Sequence, residues 1–378
     1  MPANFGSSLR RVTVMVGAAF TLLLAVTPRL RGGTLYTQTN LVSNSTATPA
    51  NYTDPNLVNP WGNVSNGGSP FWVSDQRTGL STLYDTSTTP PGAIVPLVVT
   101  IPGGNPTGIV ANTAGFDVNG SPAAFIFDTL GGTIAGWNGP AGTQAVTEAT
   151  VSGAVFTGLA QASNASGTFL YAADFKNNAV DVFNSSYVQQ NGFAFADPNL
   201  PSGYAAYNVQ AINNKLYVEY APVGTNGMPV PGLGNGIVDV FDSSGNFLQR
   251  LVTGGQLDDP WGIALAPSSF GDFGGDLLVG NFGNGWINAF DASTGAFIGT
   301  LDLANGNPFA EPALWSLGFG VGGRGGNPGV LYFTSGLTLD QTGGLLGAVA
   351  PTPEPATLIM LGSGLFGLLG LRRRKPQR

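Results

Sequence analysis

Apolar residues fall along this chain in two regimes. From Val12 to Val26 (VTVMVGAAFTLLLAV) and from Ala356 to Leu371 (ATLIMLGSGLFGLLGL) they run almost unbroken. Between those runs they come in short bursts that often end in Asp or Asn, separated by Gly-, Asn-, Ser- and Thr-rich stretches. Short apolar bursts bounded by turn-forming residues predict β-strands joined by tight turns.

The bursts repeat. Four copies open on a Pro/aromatic-x-Gly start, Pro60-Trp61-Gly62, Pro106-Thr107-Gly108, Phe156-Thr157-Gly158 and Pro260-Trp261-Gly262, and two on weaker versions of it, Tyr207-Asn208-Val209 and Leu314-Trp315-Ser316. A second strand follows in each, from Phe71–Asp75 in the first copy to Leu331–Ser335 in the last, and then a third, such as Ile237–Asp242. The third residues of the starts lie 46, 50, 51, 53 and 54 positions apart. Six copies of about 50 residues, mostly strand, predict an all-β, six-bladed β-propeller. A pair of β-sandwiches or a solenoid is the competing fold, and the even spacing disfavours it. Fourth strands are visible at Phe247–Val252 and Phe297–Leu301, but copy six has none. Leu35–Val42, ahead of copy one, is placed to supply it, which closes the ring and removes an open edge. The expected boundaries are 1–34, 35–350 and 351–378.

The two unbroken runs read as addresses. Arg10-Arg11 before a 15-residue apolar run is the pattern of a signal peptide. A spanning helix needs about 20 residues, and flanking arginines disfavour a buried N-terminal helix. The cleavage point falls between Val26 and Leu35. At the other end, Pro353-Glu354-Pro355 precedes a 16-residue apolar segment and the basic stop Arg372, Arg373, Arg374 and Lys375. This reads as a short transmembrane helix whose basic cluster stays cytoplasmic. All three parts resemble the PEP-CTERM sorting signal of Gram-negative bacteria. The resemblance implies an exosortase-type membrane enzyme as partner beside signal peptidase, an exported protein, and proximity to extracellular polysaccharide. Gly362-Ser363-Gly364-Leu365-Phe366-Gly367 matches a dinucleotide fingerprint in letters only, because the chain ends 11 residues later, with no room for a βαβ unit.

Charge sharpens the division. Nine of the 14 basic residues belong to the two ends, leaving Arg77, Lys176, Lys215, Arg250 and Arg324 against 20 acidic residues in the body. A body near −15 repels phosphate backbones, so nucleic-acid binding is excluded as a function class. The chain has no Cys and no His, which removes thiol chemistry, His-based dyads and triads, and the usual zinc sites.

Two columns of the repeat carry candidate chemistry. Asp75, Asp128, Asp174 and Asn281, with Glu219 interrupting an apolar strand, offer oxygen ligands of the kind Ca²⁺ takes. The same residues suit strand-end turns, where Asp and Asn bond their own backbone. Trp61, Trp261 and Trp315 recur at one rim, where they would stack on sugars or pack between blades. Stretches such as Asn40-Leu41-Val42-Ser43-Asn44 and Asn59-Pro60-Trp61-Gly62 are similar to a family of exported PEP-CTERM-associated proteins. That resemblance implies export and fold, and no reaction. The expectation is a cell-surface or matrix protein, a non-catalytic binding or structural module touching membrane only through its ends. The alternative is a metal-dependent, lactonase-like hydrolase on the same fold.

Overall fold

The computed structural model describes Met1 and residues 33–352. The predicted signal segment and the sorting residues Pro353, Glu354, Pro355, Arg372, Arg373 and Arg374 lie outside the described residues. From Thr34 onward the described chain is all β, interrupted only by three short 3₁₀ turns.

Six antiparallel sheets follow one another as the blades of a β-propeller. Blade I comprises Pro60–Val64, Phe71–Asp75, Leu80–Asp85 and Ala93–Thr100. Blade II comprises Pro106–Ala111, Phe125–Thr129, Thr133–Trp137 and Val146–Thr150. Blade III comprises Phe156–Asn164, Gly167–Asp174, Ala179–Phe183 and Gln189–Gln190. Blade IV comprises Tyr204–Ile212, Lys215–Pro222, Ile237–Asp242 and Phe247–Thr253. Blade V comprises Pro260–Leu265, Leu277–Asn281, Ile287–Phe290 and Phe297–Thr300. Blade VI comprises Leu314–Phe319, Leu331–Ser335 and Leu345–Pro351, with Tyr36–Ser43 as its fourth strand and Tyr52–Thr53 added in parallel. The first strands succeed one another around an axis, and that of blade VI packs against that of blade I. Tyr36 lies opposite Pro351 in the antiparallel pairing of Tyr36–Ser43 with Leu345–Pro351, and the Thr352 N–H donates to the Leu35 carbonyl at 2.8 Å.

Burial explains which strands the sequence announces. Second strands are covered by a blade on each face, so Phe71–Asp75, Phe125–Thr129 and Leu331–Ser335 are buried at every residue and read as unbroken apolar runs. Fourth strands are less buried: Val146–Thr150 and the two-residue Gln189–Gln190 carry little apolar signal, while Ala93–Thr100 is apolar in sequence yet buried at only one of its eight residues.

The glycine of each start has a steric cause. A Cβ on Gly62 would stand 2.8 Å from the Thr107 carbonyl oxygen of blade II. The same atom on Gly108, Gly158 or Gly262 would run into Leu159, Asn208 or the Trp315 carbonyl of the following blade. Neighbouring first strands touch there, and glycine lets them.

Strand register corrects two of the sequence columns. Ala206 pairs with Tyr220 and Asn208 with Glu219, as Gly262 pairs with Gly280. Copy four therefore starts Ala206-Tyr207-Asn208, with Tyr207 in the tryptophan column and Asn208 in the glycine position. The aromatic Tyr207 imitates the Phe156 that opens copy three, which places the start one residue late in a count by residue type. In blade II it is Thr129 that pairs with Pro106, as Asp75 pairs with Pro60 and Asp174 with Phe156. Asp128 thus stands one residue out of that column, sharing its place with Glu219, and a one-residue offset puts a side chain on the opposite face.

Candidate functional site

The axis has a closed half and an open half, built from the same six strands. In the closed half Trp61 and Trp315 stack at 3.6 Å between ring centroids, and Trp261 meets both edge-on at 5.8 and 5.6 Å. Tyr207, Phe175 and Phe282 complete a buried plug. The rings of the three predicted sugar-stacking residues are thus brought together, with their faces set against one another. Their nitrogens work differently: Trp261 Nε1 donates to the Thr157 carbonyl at 2.8 Å and Trp315 Nε1 to Asn59 Oδ1 at 2.9 Å.

Buried side chains latch one blade to the next around this plug. Thr107 Oγ1 lies 2.7 Å from Asp128 Oδ1 and 2.9 Å from the Phe156 carbonyl of blade III. Asn208 Nδ2 donates to Glu219 Oε2 at 3.0 Å and to the Trp261 carbonyl of blade V at 2.5 Å. Thr334 Oγ1 donates to the Trp61 carbonyl of blade I at 2.5 Å. Each latch satisfies a backbone oxygen that a sheet cannot reach. Burial pushes the Asp128 carboxyl up to about 6 against the opposing pull of its bonds from Thr107 and Gly108. Burial likewise holds Glu219 well above the ordinary carboxylate range, its bond from Asn208 acting the other way.

The remaining candidate ligands stay apart, one to a blade. Asp75 accepts from Thr82 at 2.8 Å, and burial raises it well above the usual range. Asp174 closes a turn, accepting from the Val155 and Asn177 N–H groups at 3.0 and 3.2 Å. Asn281 Nδ2 donates to the Gln256 carbonyl at 2.8 Å. Among the described residues no three carboxylates gather as a cation cage. The buried carboxyls of Asp54, Asp239, Asp258 and Asp259 escaped the sequence reading; Asp259 is fully buried with neither oxygen hydrogen-bonded, and burial, with Asp258 beside it, pushes it up to about 8. Its equivalent in blade I is Asn59, so the position itself was legible in Asn59-Pro60-Trp61 and Asp259-Pro260-Trp261.

Two residues beyond each glycine position the axis opens into a cavity of about 530 Å³. Val64, Val110, Ala160, Gln210, Ala264 and Gly318 ring it, and every residue lining it is uncharged. Five of the six ring positions are small or β-branched and apolar. Gln210 alone is polar, is exposed, and has no side-chain hydrogen bond to another described residue. Thr113, Asn213 and Val321 at the far rim are exposed, so the cavity opens to solvent at that end. Because each sheet terminates on its first strand, the unpaired edges of six strands also face inward.

Comparison with known proteins places this architecture. The chain is 35% identical over 295 residues to "Uncharacterized protein R648" of Acanthamoeba polyphaga mimivirus, covering 73% of this chain and 72% of that one. The chain belongs to that protein's family. A second member, "Uncharacterized protein L690" of the same virus, is 30% identical over 300 residues, covering 73% of this chain and 77% of its own length. The PEP-CTERM protein-sorting motif matches residues 351–375. Among solved structures, Kuenenia stuttgartiensis hydrazine synthase superposes with a TM-score of 0.50 at 15% identity, over 78% of this chain and 87% of its own. At that identity the likeness is one of fold alone.

Proposed function

We propose that this family member is an exported protein of the cell surface or extracellular matrix, its propeller a non-catalytic binding or structural module. The observation that carries the reading is the sorting motif at residues 351–375, which begins inside the last strand of the propeller. An exosortase-type enzyme and a signal peptidase are the partners such addresses call for. A binding role is supported over hydrolysis by the axial cavity, since no carboxylate lines it. The buried acids Asp128 and Glu219 are engaged in latches. Calcium at Asp75, Asp128, Asp174, Glu219 and Asn281 is left out of the reading because register and bonding separate them.

Mass spectrometry of the protein recovered from its producing cell tests the export reading. The expected mass lacks residues up to the Val26–Leu35 region and those after about Pro353; a mass retaining both ends overturns it. The reading includes closure of the ring by Tyr36–Ser43. Deleting that strand exposes the edge of Leu345–Pro351, and the shortened protein should aggregate or melt well below the parent. Unchanged melting would make the strand dispensable.

A further inference from the structure

The open half of the axis has the size and chemistry of a site. About 530 Å³ lies inside the range of small-molecule pockets, roughly 300–1,000 Å³. Its chemistry narrows the occupant by elimination. An ion would leave water for a cavity lined by no countercharge, at a large desolvation cost. A hydrocarbon would strip water from six strand edges and from Gln210 without replacing its hydrogen bonds. The occupant that meets both conditions is neutral, carries groups that both donate and accept, and has a C–H surface for Val64, Val110, Ala160 and Ala264. Hydroxyls on a saturated ring satisfy this, because each pairs equally with an N–H or a C=O.

We propose that the axial cavity binds a neutral sugar unit, with Gln210 as the side chain that reads it. The proposal rests on the binding-module reading above and names its ligand class. Gln210 stands where the other blades present Val64, Val110, Ala160, Ala264 and Gly318, so it alone breaks the symmetry of the ring and fixes an orientation. Selectivity follows from the same residues: a uronic acid would bring a carboxylate into a cavity without a cation.

The test is calorimetric titration of the full chain in a non-glycosidic detergent with neutral gluco-, galacto- and manno-trisaccharides, and with a trigalacturonate. At least one neutral trisaccharide should bind and trigalacturonate should not. Gln210→Ala should weaken binding at least tenfold with an unchanged melting temperature, because the side chain is exposed and unbonded. Gly318→Leu should abolish binding by filling the ring; a Cβ there meets only Asn63 Oδ1, at 3.4 Å. Absence of binding by every neutral sugar overturns the proposal, as does binding that neither variant alters, or tighter binding of the acidic sugar. Export and tail removal are read separately by mass, so a correctly processed protein that ignores sugars sinks this inference alone.

Discussion

The two halves of the axis differ by a few residues along the same strands. At Trp61, Tyr207, Trp261 and Trp315 the strands carry large rings that meet across the axis and exclude water. Three residues further on they carry Val64, Gln210, Ala264 and Gly318, and the rings' place is taken by empty space. Backbone geometry is shared, so side-chain volume alone divides the axis. The closed half secures the blades to one another, which leaves the open half free of that duty and able to vary without loss of the fold.

Substitutions should therefore have steeply different effects along one strand. The largest is expected at the centre of the plug, where Trp315→Ala removes a fully buried ring touching Trp61, Trp261 and Phe282. Chemical denaturation should show a loss of about 3–5 kcal/mol. A loss under 1 kcal/mol, the scale of a surface change, would mean the plug is not the core of the axis.

Next come the latches. Asn208→Ala leaves both Glu219 and the Trp261 carbonyl without a donor, at a cost of about 1–3 kcal/mol. Glu219→Gln keeps an oxygen for Asn208 and should be nearly silent, because burial already favours the uncharged acid. If the two substitutions cost the same, the carboxylate rather than the latch geometry matters.

A smaller effect is a slope with pH. Burial raises Asp128 to about 6, Asp239 to about 7 and Asp259 to about 8, so the folded state holds protons that the unfolded chain releases near 4. The stability these groups contribute is present in full below about pH 4 and is lost as pH rises toward 8. Melting temperature should fall between pH 6 and pH 8.5. Asp259→Asn, which copies Asn59, should flatten that fall; an unchanged slope would show that Asp259 does not titrate in this window.

Least of all should follow from Val110→Ala in the open half. Val110 is only partly buried, and the expected loss is under about 1 kcal/mol. A cost equal to that of Trp315→Ala would erase the distinction between the halves.

Much of this fold was legible because buried second strands and repeated glycines leave strong marks. The six copies and the fourth strand supplied by the N-terminal segment follow from spacing and from what copy six lacks. The columns were less secure. Counting residues put Asn208 beside Trp61, because Tyr207 imitates an opening aromatic, and only the pairing of Ala206 with Tyr220 shows that the start lies one residue earlier. Asp128 was grouped with Asp75 and Asp174 on residue type, although its offset turns it toward Thr107 and the next blade. Gln210 is an amide where aligned copies carry Val, Ala or Gly, a signal that emerges only with the correct register of blade IV.

The pairing of the first and last strands also has a mechanical meaning. Leu35 and Thr352 sit side by side, so whatever precedes and follows the body departs from one corner of blade VI. A tether at that corner holds the disc by a single point about which it swings, rather than pinning it flat at two. Tension between the two ends pulls apart neighbouring antiparallel strands from Tyr36 and Pro351 inward, breaking bonds one after another as a zipper opens. Such a joint resists little force, while the five other blades, joined through the axis, carry none of it.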